Sequence, residues 1–88
     1  MRRAKVDQNQ KDIVQQLRKA GYSVIHLHAV GDGCPDICVG KDGVNYLLEI
    51  KSKAGKLTPK QEVFFDSWQG TAHIVRTFEQ ALEVLRVS

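Results

Sequence analysis

The chain has 88 residues, a net charge of +3 from 13 Lys plus Arg against 10 Asp plus Glu, and a hydrophobic share of 42%. That length holds one small domain with one core, and the composition sits near the globular average, which argues against disorder, collagen-like fibres, coiled coil and separate recognition and catalytic modules. No apolar run reaches the roughly 20 residues of a membrane-spanning helix and the Met1-Arg2-Arg3 start leads into polar sequence, so the expectation is a soluble cytoplasmic protein with a single domain over residues 1–88.

In chain order, residues 8–20 carry Ile13, Val14, Leu17 and Ala20 at helical spacing, with Asp7 as N-cap and Gly21 as the stop. Residues 22–28, rich in β-branched and aromatic types, predict a strand that the Gly-Asp-Gly at 31–33 interrupts. A short strand at 36–39 follows Pro35, and Gly40-Lys41-Asp42-Gly43 signals a hairpin turn into a strand at 44–51. The two-residue period of that strand places Val44, Tyr46, Leu48 and Ile50 on one face and Asn45, Leu47, Glu49 and Lys51 on the other. Thr58-Pro59-Lys60-Gln61 combines an N-cap, a first-turn proline and a capping-box glutamine, opening a helix at 59–69. Residues 72–76 read as a last strand, and Thr77-Phe78-Glu79-Gln80 opens a closing helix. The order α-β-β-β-α-β-α predicts an α/β fold: a mixed four-stranded sheet flanked by helices, antiparallel in the hairpin and parallel across the helical crossover.

Hairpin geometry brings Asp36 beside Glu49, with Lys51 one strand repeat away. Cross-strand neighbours lie about 4.5–5.5 Å apart at Cβ, so the two carboxylates can share one divalent cation. With the carbonyl of Ile50 and water completing the shell, Mg²⁺ or Mn²⁺ suits such an oxygen-rich site. A metal so held neutralises charge on a phosphodiester and lowers the pKa of a bound water, while Lys51 orients or deprotonates that water or stabilises the developing charge. Lys53, Lys56 and Lys60, in a stretch from 51 to 60 without an acid, are candidate phosphate contacts, and Arg2, Arg3 and Lys5 form a candidate basic arm.

The ordered set GCPD (33–36), EIK (49–51) and KSKAGKLTPKQ (51–61) resembles the virus-type replication-repair nuclease domain, VRR-NUC, of the PD-(D/E)xK nuclease superfamily. The resemblance spans nearly the whole chain and implies a stand-alone minimal nuclease with a restriction-endonuclease-like core, similar to Holliday-junction resolvases. It further implies a Mg²⁺- or Mn²⁺-dependent endonuclease without organic cofactor, acting as a homodimer on branched DNA. Asp36 and Glu49 match the metal-binding acids, Lys51 the catalytic lysine and Gln61 the helix glutamine beside the active site. Gln10 stands where the family's first helix usually supplies a glutamate; its amide carbonyl can still meet a metal or its water, with one negative charge fewer.

Cys34 and Cys38 are too few and too widely spaced from other ligands for a disulfide scaffold or a zinc site, and read as reduced, incidental thiols. His26, His28 and His73 read as polar residues on half-exposed strands, with His26 and His28 sharing a face. Phe64, Phe65 and Trp68 at helical spacing read as core or dimer contacts. Two other readings remain beside the resolvase: a nuclease of flaps or duplex in phage replication or packaging, and a catalytically silent DNA-binding module.

Overall fold

The computed structural model describes residues 7–87; Arg2, Arg3 and Lys5 lie outside the described residues. The elements are α1 (Gln8–Lys19), β1 (Ser23–His26), β2 (Ile37–Lys41), β3 (Val44–Ile50), α2 (Pro59–Ser67), β4 (Ala72–Val75) and α3 (Phe78–Val87), in the order α-β-β-β-α-β-α. The sheet runs β1-β2-β3-β4, antiparallel between β1 and β2 and between β2 and β3, and parallel between β3 and β4. No helix among the described residues is long and apolar enough to cross a membrane.

Alternation decides which sheet face is buried. Val24, Ile37, Val39, Tyr46, Leu48, Ile50 and Val75 form one face, and Ile13, Val14 and Leu17 of α1 with Ala81 and Leu85 of α3 close over it as the core. On the opposite face Ile25 is exposed while Cys38 and Leu47 are half-buried. Over that face runs α2, which buries none of its residues. Phe64 and Phe65 are only half-buried there and Trp68 is exposed, so these aromatics are not core.

Several boundaries differ from the sequence expectation. β1 stops at His26 instead of reaching residue 28: Leu27 donates one last hydrogen bond to the Asp36 carbonyl at 2.8 Å, and Val30 then turns back to the Leu27 carbonyl at 2.9 Å. His26 and His28 therefore do not share a strand face; their rings meet edge to face, 5.7 Å between centroids. β2 runs on through Gly40 and Lys41, which pair with Asn45 and Val44, and leaves a two-residue turn at Asp42-Gly43. Both turn residues have positive φ, 53° and 81°, as a type I′ hairpin requires. α2 ends at Ser67 because Trp68 adopts extended backbone and folds its indole back over Gly70, where an added Cβ would stand 2.9 Å from Nε1.

Candidate functional site

The two-residue turn sets the register that builds the site. Ile37 pairs with Leu48, so Asp36, one residue beyond the paired segment, stands opposite Glu49 on the face that α2 crosses. Its carboxylate oxygen Oδ2 accepts a hydrogen bond from the Ile50 backbone N–H at 2.7 Å, which fixes Asp36 across the strand ends. Glu49 is 2% exposed, as deeply buried as the apolar residues of the core.

Gln61 joins the strands to α2. The expected capping box is complete: Thr58 Oγ1 accepts from the Gln61 N–H at 3.2 Å and Gln61 Oε1 accepts from the Thr58 N–H at 2.9 Å. The same Oε1 accepts from Lys51 Nζ at 2.8 Å, and Gln61 Nε2 donates to Glu49 Oε2 at 3.1 Å. Lys51 Nζ lies 3.2 Å from that Glu49 oxygen, its side chain 15% exposed. One glutamine thus caps a helix, seats the lysine and holds the acid. The other oxygen, Glu49 Oε1, is buried without a hydrogen-bond partner.

Burial, before anything else, raises the Glu49 pKa to about 7; the charge of Asp36 adds to it and Lys51 opposes it. Burial also raises Asp36, opposed by the Ile50 N–H, by its contact with Glu49 and by Lys51. Two carboxyls side by side in partial burial cannot both ionise cheaply, so the pair holds a proton or demands a cation. Burial and then the two acid charges push the Cys34 thiol up, which keeps it protonated and unreactive, in keeping with an incidental thiol. Both cysteines are free.

The loop ahead of Asp36 is latched to α2. Gly33 has φ of 78°, and a Cβ there would stand 2.3 Å from the Lys60 carbonyl oxygen, so only glycine lets the GCPD segment approach the first turn of α2 this closely. Beyond Lys51, the Arg76 guanidinium donates to the carbonyls of Ser52 and of Gly55, the latter at 2.9 Å. Asn9 Nδ2 donates to the Arg76 carbonyl at 3.3 Å and, more weakly, to that of Lys51 at 3.5 Å. Nothing local in the sequence singles out Arg76 or Asn9, because both act across more than 20 positions.

Of the sequence-predicted site residues, Asp36, Glu49, Ile50, Lys51 and Gln61 are brought together. Lys53, Lys56 and Lys60 are exposed on the β3–α2 loop and the start of α2. Asp7 is the N-cap of α1, its Oδ1 accepting from the Gln10 N–H at 2.9 Å. Gln10 is buried with its amide nitrogen 3.2 Å from His26 Nδ1, so that amide nitrogen is already engaged. Among the described residues no three His, Cys, Asp or Glu side chains converge as metal ligands. Two carboxylates, one with an unpartnered buried oxygen, nonetheless fit Mg²⁺ or Mn²⁺, which commonly take one or two protein carboxylates and fill the rest of the shell with water. Comparison of the chain with protein-family models, with curated proteins and with solved structures gave no match.

Proposed function

We propose that this chain is a Mg²⁺- or Mn²⁺-dependent endonuclease that hydrolyses phosphodiester bonds of branched DNA as a homodimer, in the cytoplasm of a bacterial or phage-infected cell. One observation carries the reading: Glu49 is buried beside a second acid, one oxygen tied to Lys51 and Gln61 and the other left without a donor. A fold selected for stability alone gains nothing from a carboxylate pair whose ionisation burial opposes; such pairs concentrate at functional sites. The likeness of GCPD, EIK and KSKAGKLTPKQ to the VRR-NUC pattern supports the substrate class, the branched target and the dimer.

In this reading Asp36 and Glu49, with the Ile50 carbonyl, hold the ion. Bound there, it supplies charge neutralisation at the phosphoryl group and acidifies water. Lys51, seated by Gln61, presents its ammonium to the charge that grows on the phosphoryl oxygens. Gln61 acts through Lys51 and Glu49 and is a positioning residue. Lys53, Lys56 and Lys60 contact flanking phosphates.

A second reading, a silent DNA-binding module, draws on a specific observation: Gln10 brings no third carboxylate and engages His26. Labelled four-way junction, flap, single-stranded and linear duplex DNA, each incubated with EDTA, Mg²⁺ or Mn²⁺, separate the readings when wild type is run beside Glu49→Ala. Metal-dependent cuts lost in the variant are the expected result, with paired symmetrical cuts across the junction. Preferred cutting of flaps or duplex moves the substrate class. Tight binding with no cutting in any metal supports the silent module.

A further inference from the structure

On the α1 side of the sheet, made by residues other than the acid pair and its lysine loop, lies an open groove of about 490 Å³ lined by Lys11, Val14, Gln15, Arg18, Lys19 and His26. Helical spacing explains the lining. Lys11, Gln15 and Lys19 form one row at intervals of four, and Val14 and Arg18 the adjacent row, so consecutive turns of α1 present their cations toward the same hollow. Three formal cations and no acid line it, in a chain whose whole excess is +3. Asp12, the acid on this helix, instead accepts from Gln8 at 2.9 Å and is not part of the lining.

Two of the groove's donors are fixed in place. Arg18 Nη2 donates to the Val24 carbonyl at 2.9 Å, which ties the guanidinium to the outer edge of β1 and leaves its remaining N–H groups for another partner. The Gln10 amide nitrogen meets His26 Nδ1, and since an amide nitrogen only donates, the ring proton belongs on Nε2, a second donor. His26 also locates the groove. It pairs with Ile37, the neighbour of Asp36, so the groove begins at the end of the sheet where the acid pair stands and follows α1 away from it.

We propose that this groove is a second phosphate track, in which Lys11, Arg18 and Lys19 hold the backbone of a nucleic-acid strand on the β1 side of the candidate cleavage site. The inference rests on the nuclease reading and extends it: the groove starts on the β1 side of the sheet end that carries the acid pair, and Lys53, Lys56 and Lys60 follow Lys51 on the β3 side, so a strand rounding that end would be gripped on both sides of the bond to be cut. Planar guanidinium and flanking ammonium groups suit phosphodiester oxygens, and a row of cations along a helix matches a row of phosphates better than it matches one small anion.

Equilibrium binding of fluorescent four-way junction and duplex, read by anisotropy in EDTA across a salt series, tests this without reference to cleavage. The Lys11→Gln/Lys19→Gln double variant is set against Lys41→Gln/Arg86→Gln, which removes the same charge from exposed positions outside the groove. All four side chains are exposed, so each variant is expected to fold, checked by circular dichroism. The groove variant should weaken binding several-fold or more and flatten the log K against log salt slope by about 0.9 per lost duplex phosphate contact, the control by clearly less. Equal losses in the two variants, with wild-type binding intact, overturn the track and leave the nuclease reading standing. Absence of any DNA binding or cleavage by wild type overturns both. Inorganic phosphate titrated by NMR is the remaining arm: shifts in the groove residues without any effect of the groove variant on DNA overturn the track in favour of a small-anion site.

Discussion

The two faces of the sheet are held in different ways. Beneath α1 and α3 lies a continuous apolar layer in which Leu17, Ile37, Leu48 and Val75 are fully buried. Beneath α2 there is no such layer: the helix buries none of its nine residues, Val63 is 66% exposed, and its firm attachments are a capping box, the Gln61 bridge and the Gly33 contact. Area burial makes the first face strong and tolerant of small polar changes at its rim. Directional hydrogen bonds make the second face weaker but geometrically exact in where it puts Lys51 and Glu49, which is what a reacting site needs.

The largest way to break this comparison is chemical. Lys51→Ala should lower the cleavage rate by about 10²–10⁴-fold while junction affinity stays nearly unchanged, the range expected for one charged or proton-transferring group. Normal cutting by that variant removes Lys51 from the mechanism. Next comes the core: Leu17→Ala should cost about 2–5 kcal/mol in urea unfolding, and Val63→Ala on α2 less than about 0.5 kcal/mol. Similar costs for the two would show that the α2 face is a core after all.

The acid pair sharpens the contrast through pH. Burial and the Asp36 charge raise the Glu49 pKa from 4.5 to about 7, so the folded acid pair holds a proton that the unfolded chain releases. Metal-free stability is therefore greatest below about pH 4.5 as far as this group is concerned, and falls as pH rises towards 7 and the proton is lost. Glu49→Gln should flatten that decline and raise the metal-free Tm at pH 7.5, whereas added Mg²⁺ should raise the wild-type Tm alone. An unchanged pH profile in the variant would assign the decline to other groups. A smaller change comes from the cap: Thr58→Ala should cost about 1 kcal/mol and detach α2 first, seen as faster amide exchange across residues 59–67 than across α1.

How much of this was legible depends on the range of the interaction. The elements follow from local period and capping, and Thr58-Pro59-Lys60-Gln61 announces α2 as plainly as a sequence can. The juxtaposition of Asp36 with Glu49 is also readable, although the turn is shorter than the Gly40-Lys41-Asp42-Gly43 signal suggests; pairing Lys41 with Val44 is what sets Asp36 directly across from Glu49. The resemblance puts Gln61 beside the site, but its bridge from Lys51 to Glu49 requires α2 to be docked. The engagement of Gln10 with His26, the reach of Arg76 into the loop and the cationic groove all depend on which helix row faces which strand edge. Periodicity gives the row, and tertiary packing decides what it meets. Leu27 and His28 show the reverse: strand-forming residue types leave the ladder because the chain must turn back there.

Trp68 is the sole tryptophan of the chain, and it terminates α2, half-exposed and stacked on Phe64 at 5.0 Å between ring centroids and 17° between ring planes. Indole emission from this protein, excited selectively over Tyr22 and Tyr46, consequently reports on the hydrogen-bonded face and is nearly blind to the apolar core, which has no indole. A red shift without loss of far-ultraviolet ellipticity marks α2 lifting from an intact sheet, and a blue shift marks that helix acquiring a cover. The optical signal is thereby a local gauge of the side of the molecule on which the chemistry is placed.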